Sequence, residues 1–154
     1  QPAARRRVPD PGHPGGQGVQ GRPDRVGVHG RPAARGQRGW GAQAMAVLAA
    51  LVGSGFSTEK FCFRGFLPIK SGQRERELLA AVNREETTIF FESPYRLTKT
   101  LAACIEIMPD RQLCVARELT KKFEEFRRGT AGELLAHYEA QPPKGEIVLV
   151  ISGL

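Results

Sequence analysis

Apolar residues fall along this chain in two spacings, every second residue and every third or fourth, and together they outline an ordered body that starts at Ala44. Met45, Val47, Leu48, Leu51 and Val52 predict an apolar helix that stops at Gly53-Ser54-Gly55, a glycine-rich end. Phe61 to Leu67 alternates and predicts a strand closed by Pro68. A polar helix over about residues 72–85 follows, with Leu78, Leu79 and Val82 as its inward face. Thr87-Thr88-Ile89-Phe90-Phe91 has the β-branched and aromatic content of a strand. At Glu92-Ser93-Pro94 the period changes. Ser93 suits an N-cap, Pro94 suits a first helical turn, and Leu97, Leu101, Ile105 and Met108 then recur at helical spacing. Leu113–Ala116 and Glu124–Gly129 predict two short strands. Thr130-Ala131-Gly132-Glu133 has the form of a capping box and opens a helix carrying Leu134, Leu135 and Tyr138, which Pro142-Pro143 ends. The apolar run up to Ile151 predicts a central, buried strand.

From Phe61 the order is β-α-β-α-β-β-α-β, which predicts a compact α/β domain. Its sheet is mixed, because the short connection from Arg117 to Glu124 allows an antiparallel pair while helices make the other links. In such a sheet, ligands gather at strand ends, where helix N-termini and free backbone groups collect. Two charged segments follow strands: Glu92-Ser93-Pro94-Tyr95-Arg96 and Arg117-Glu118-Leu119-Thr120-Lys121-Lys122. Both are expected to face one cleft.

The formal charge of +7 invites a nucleic-acid reading, but eight Arg and two Asp in residues 1–43 account for all of it except +1. Residues 1–41 hold ten Gly and six Pro and no Leu, Ile, Phe, Tyr, Lys, Glu, Ser or Thr. That segment has too little apolar surface to offset its ordering entropy, so 1–43 is expected to be disordered. A basic tail, a linker and a wrong-frame translation of GC-rich DNA all fit, and its codon-like composition favours the last. Cys62, Cys104 and Cys114 show neither metal nor disulfide spacing and sit in apolar runs, so reduced core cysteines are expected. No metal is implied. No apolar run approaches the ~20 residues of a membrane span, and a cytoplasmic, membrane-free protein is expected.

The phrases Phe90-Phe91-Glu92-Ser93-Pro94-Tyr95-Arg96-Leu97, Ala116-Arg117-Glu118-Leu119-Thr120-Lys121-Lys122 and Pro142-Pro143-Lys144-Gly145-Glu146-Ile147, in this order, resemble the C-terminal half of the bacterial 16S rRNA cytidine 2′-O-ribose methyltransferases, of the tetrapyrrole (corrin/porphyrin) methylase superfamily. The resemblance runs from Ala44 to Gly153. It implies a tetrapyrrole-methylase-like C-terminal α/β domain over 61–154 and a remnant of the N-terminal α/β domain over 44–60. It implies S-adenosylmethionine as methyl donor and the 16S rRNA of the small ribosomal subunit as partner, with a homodimer as a further candidate. The family's glycine loops before Ala44 have no counterpart here, so the chain alone is expected to bind the donor weakly and to be inactive. A non-catalytic α/β RNA-binding or dimerisation module and a tetrapyrrole-ring methylase are the alternatives.

Methyl transfer to a ribose hydroxyl needs the oxygen in line with methyl and sulfur, and a base or cation at that oxygen helps. Glu92 and Glu118 are the carboxylate candidates for catalysis, although for Glu92 a structural role, bonding backbone N–H groups at the strand–helix turn, is favoured over base catalysis. Ala44, Ser93 and Pro94 are the candidates for the donor. Tyr95, Arg96, Arg117 and Lys121 are the candidates for RNA, with Arg117 pairing to Glu118 as the plainer alternative.

Overall fold

The computed structural model of the chain describes residues 37–154, with side chains from residue 41 onward. Its elements are α1 (Gln37–Ser54), β1 (Phe61–Phe66), α2 (Ser71–Val82), β2 (Thr87–Glu92), α3 (Leu97–Ile107), β3 (Leu113–Arg117), β4 (Glu125–Gly129), α4 (Ala131–Ala140) and β5 (Ile147–Ile151). The strands form one sheet in the order β1-β2-β5-β3-β4. β1 and β2 are parallel, and β5 runs antiparallel to both β2 and β3. β4 pairs antiparallel with β3. The helical links preserve strand direction and the short β3–β4 link reverses it, which gives the expected α/β domain with a mixed sheet.

Side-chain alternation divides the core in two. Phe90, Leu113, Val115, Ile147, Leu149 and Ile151 meet α2, α3 and α4 through Leu78, Leu97, Leu101, Leu134 and Tyr138. Ile89, Cys114, Ala116, Val148 and Val150 face the other way, against Val47, Ala50 and Leu51 of α1. Burial pushes the Cys104 thiol up to about 12 and the Cys114 thiol up to about 11, as apolar surroundings disfavour the thiolate. Among the described residues no helix is long and apolar enough to cross a membrane.

The sequence pattern and the structure differ at three places. α1 begins at Gln37, ahead of Ala44, so residues 37–43 are helical rather than disordered. Its later turns dock on the sheet, and a docked helix extends through tolerable residues such as Gln and Ala even past two glycines. Residues 1–36, and with them the rest of the expected low-complexity segment, lie outside the described residues. Secondly, α1 shares a core with β3 and β5, a contact that the pattern of residues 44–60 does not announce. Any side chain at Gly53 would run into the Phe126 ring, and Arg128 donates to the Ser54 carbonyl at 2.7 Å and to the Gly53 carbonyl, so the end of α1 is seated on β4. Thirdly, α2 buries Leu78 and Ala81, and Leu79, one step round the helix, is exposed.

α1 covers β5, β3 and β4 and leaves β1, at the opposite edge, open. Phe61, Phe63 and Phe66 of β1 are exposed on that uncovered face, and Phe63 and Phe66 pack on Phe91 with ring centroids 5.1 and 5.3 Å away. Gly65, at φ +76, makes the irregularity that brings Phe66 opposite Phe91.

Candidate active-site cleft

The C-terminal ends of β1 and β2 and the loop after β3 meet the start of β5 and the first turns of α1 around a cleft of about 540 Å³. Its walls include Phe66, Phe91, Pro94, Leu119 and Val148, with Tyr95 and Lys121 as polar members. The two charged segments expected to share a cleft, those at Ser93 and at Lys121, do so.

Glu92 is buried, with 3 % of its surface exposed, and its oxygens are in use. Oε1 accepts the Ser93 N–H at 2.7 Å and lies 3.4 Å from Arg96 Nε, and Oε2 accepts the Thr100 hydroxyl at 2.6 Å. The carboxylate therefore ties the end of β2 to α3, the structural use of the two weighed for it. Ser93 and Pro94 line the cleft, but they form a turn and not the first turn of α3. Ser93 Oγ accepts the Tyr95 N–H and its carbonyl accepts the Arg96 N–H, so the helix starts only at Leu97. Arg96 points inward to Glu92, whereas Tyr95 projects into solvent.

Arg117 does not join the cleft. It stands opposite Glu125 in the β3–β4 ladder and donates to that carboxylate at 2.8 Å and to the Lys144 carbonyl at 2.8 Å. Its place in the alternation puts it on the side of Leu113 and Val115, under α4, away from the cleft. The expected pairing with Glu118 is replaced by this one. The hydrogen bond from Arg117 holds the Glu125 carboxyl below its ordinary range and the same bond raises Arg117.

Glu118 turns instead toward Lys121, whose ammonium is 3.5 Å from Oε2. Its backbone is left-handed, with φ 50, and so is that of Thr120, with φ 62. Two such residues in one short loop are costly and occur where a site dictates the backbone. The loop is latched to the start of β5: the Glu118 N–H donates to the Glu146 carbonyl at 3.3 Å. The Glu118 carboxylate also lies against Gly145, where any side chain would overlap it. Ala44 is exposed on α1 and is not part of the wall, which takes Ala42, Gln43 and Ala46 from that helix. Phe66, Phe91, Leu119 and Val148 went unnoticed as cleft residues because each reads as an ordinary core position. Gly65 in the Phe-rich strand was the one available signal.

No family model matches the chain. It is 48% identical over 108 residues to a protein named ribosomal RNA small subunit methyltransferase I from Erythrobacter litoralis (strain HTCC2594), covering 70% of this chain and 38% of that protein. The Bacillus subtilis (strain 168) protein of the same name is 46% identical over 110 residues, 71% of this chain and 38% of its own length. The one from Thermotoga maritima is 46% identical over 109 residues, 70% of this chain and 48% of its own length. The chain thus spans 38–48% of the length of these curated relatives. Among solved structures, the methyltransferase CobJ superposes with a TM-score of 0.51 at 20% identity over 69% of this chain and 46% of its own. Cobalt precorrin-4 methyltransferase CbiF superposes with a TM-score of 0.53 at 15% identity over 70% of this chain and 48% of its own. The likeness to these two is one of fold.

Proposed function

We infer that the chain carries one wall of the catalytic cleft of a bacterial 16S rRNA cytidine 2′-O-ribose methyltransferase, within the tetrapyrrole methylase superfamily. The observation that carries this reading is the 48% identity to a named small-subunit rRNA methyltransferase, against 15–20% to the fold neighbours that carry the cobalamin-type names. It favours rRNA over a tetrapyrrole ring as substrate. The cytoplasm, where ribosomal subunits are made, is its place of action.

The cleft fits S-adenosylmethionine. Its ~540 Å³ lies within the size range of small-molecule sites. Phe91, Leu119 and Val148 offer apolar walls to an adenine ring and a thioether. When bound, the donor supplies an electrophilic methyl group on sulfonium. The chain's residues hold the reactants and shield them from water. Glu92 fixes the turn that carries Ser93, Pro94 and Tyr95. Of the two carboxylates weighed for catalysis, Glu118, which pairs with Lys121 and lies beside the wall residues Leu119 and Gly145, is the one placed to accept the proton of the ribose hydroxyl.

A chimera tests the reading. This domain replaces the matched 110 residues of the Bacillus subtilis protein, and transfer of radiolabelled methyl to small-subunit rRNA is measured. Transfer within about tenfold of the parent, with a large loss in the Glu118→Gln chimera, is the expected result. A folded chimera that binds the donor and methylates nothing overturns the assignment. The chain alone is expected to bind the donor weakly by calorimetry, because the rest of the longer relatives is absent from it.

A further inference from the structure

Three aromatic side chains stand out from the surface at one end of the sheet: Tyr95 is 90%, Phe123 75% and Phe66 63% exposed. Phe66 closes β1, Tyr95 sits in the turn after β2, and Phe123 lies between β3 and β4. β1 and β2 run in the same direction, and β2 and β3 are both antiparallel to β5, so the three positions collect at the same rim. Phe66 and Tyr95 both line the cleft, together with Lys121. Lys122 holds its ammonium 5.7 Å from the centre of the Phe123 ring. An isolated exposed aromatic needs no explanation, but three on one rim, two of them lining a cleft and the third beside a cation, do.

We propose that this rim is a platform for unpaired RNA, with bases stacking on Tyr95, Phe123 and Phe66 and with Lys121 and Lys122 at the adjoining phosphates. The proposal rests on the rRNA reading above and adds the form in which the substrate is held. Charge alone does not hold a polyanion here. Residues 44–154 carry a net charge of only +1, and Glu124 and Glu146 are exposed at the same rim. Stacking is the interaction that tolerates a nearly neutral surface, because every base has an aromatic face. Protein interfaces use aromatic rings too, but here Phe66 ends a strand, Tyr95 and Phe123 stand on separate turns, and an ammonium group lies over the Phe123 ring. The substrate nucleotide and its neighbours are therefore taken out of the duplex.

Binding of this chain to a fluorescein-labelled single-stranded oligoribonucleotide of mixed sequence, and to the same strand annealed to its complement, is the test. Tyr95→Leu and Phe123→Leu are each expected to weaken single-strand binding by roughly 5- to 150-fold. The slope of log affinity against log salt should stay unchanged in both. Tyr95→Phe keeps a ring and should keep the affinity. Lys122→Ala should lower the slope by about 0.7. Both leucine variants binding within twofold of the parent, or losing single strand and duplex equally, overturns the platform. So does a change in oligomeric state in place of a change in RNA affinity, which would make the rim a protein interface. Absence of any RNA binding also overturns it, while the chimera's methyl transfer decides the methyltransferase reading separately.

Discussion

Gly145 and Glu118 meet beside the cleft although they lie far apart in the chain, and that contact gives a residue-level prediction. Gly145 has φ +79, and its Cα faces the Glu118 carboxylate. Gly145→Ala therefore adds about 1–2 kcal/mol of left-handed backbone strain, whereas the Glu118 atoms it meets are the end of a flexible side chain that can swing aside by giving up Lys121. In a Glu118→Ala background the backbone cost should remain in full. Urea denaturation of the four proteins should give a coupling below about 0.5 kcal/mol, and a larger one would show that the Glu118 side chain is held in place. A second prediction concerns acid. Arg117, by hydrogen bond, holds the folded Glu125 carboxyl below its ordinary 4.5. A depressed folded value stabilises the protein above the unfolded value, and this contribution is lost as the pH falls through the folded one. Stability should thus drop below about pH 4.5, and Arg117→Met should flatten that acid limb. Equal limbs would rule the pair out as its source. The local use of Glu92 could be read from the chain, because its partners Ser93 and Thr100 are only one and eight residues away. The partner of Arg117 could not, since Glu125 becomes its neighbour only through hairpin register.

Among the elements, α1 shows best what a pattern conveys and what it leaves out. Its apolar residues announce a helix, yet Met45, Leu48 and Val52 face outward while Val47, Ala50 and Leu51 face the sheet. A helix apolar on all sides gives no hint of which side will pack. What orients it is its end, where Gly53 admits the Phe126 ring and Arg128 binds the last carbonyls. A cation at a helix C-terminus adds to hydrogen bonds with otherwise unpaired carbonyls. Arg128→Ala should cost about 1–2 kcal/mol, and Gly53→Leu should cost more by forcing the Phe126 ring off the helix. Thermal unfolding monitored by circular dichroism checks both, and a Gly53→Leu protein as stable as the parent would show that α1 is seated some other way. The start of α3 shifted for a comparable reason. Ser93 spends its hydroxyl and carbonyl on the N–H groups of Tyr95 and Arg96, and a tight turn intervenes before the helix.

For the molecule as a whole, strand directions were legible, since helical links preserve direction and a short link reverses it. The slot that β5 takes was not. Nothing in an apolar run says that it will enter between β2 and β3 and bridge two pairs of strands made earlier. The cleft depends on that insertion, because Gly145, Glu146, Ile147 and Val148 form its floor. The placement of β5 also has a consequence for synthesis on the ribosome. Strands β1–β2 and β3–β4 can pair as soon as they emerge, but the two halves are not neighbours in the sheet until residues 147–151 arrive between them. A nascent chain arrested with those residues still in the exit tunnel should be cut readily by protease, and should become resistant only once they are free. Whatever waits to cover the exposed edges of β2 and β3 in that interval, a chaperone included, must leave before the last strand can enter.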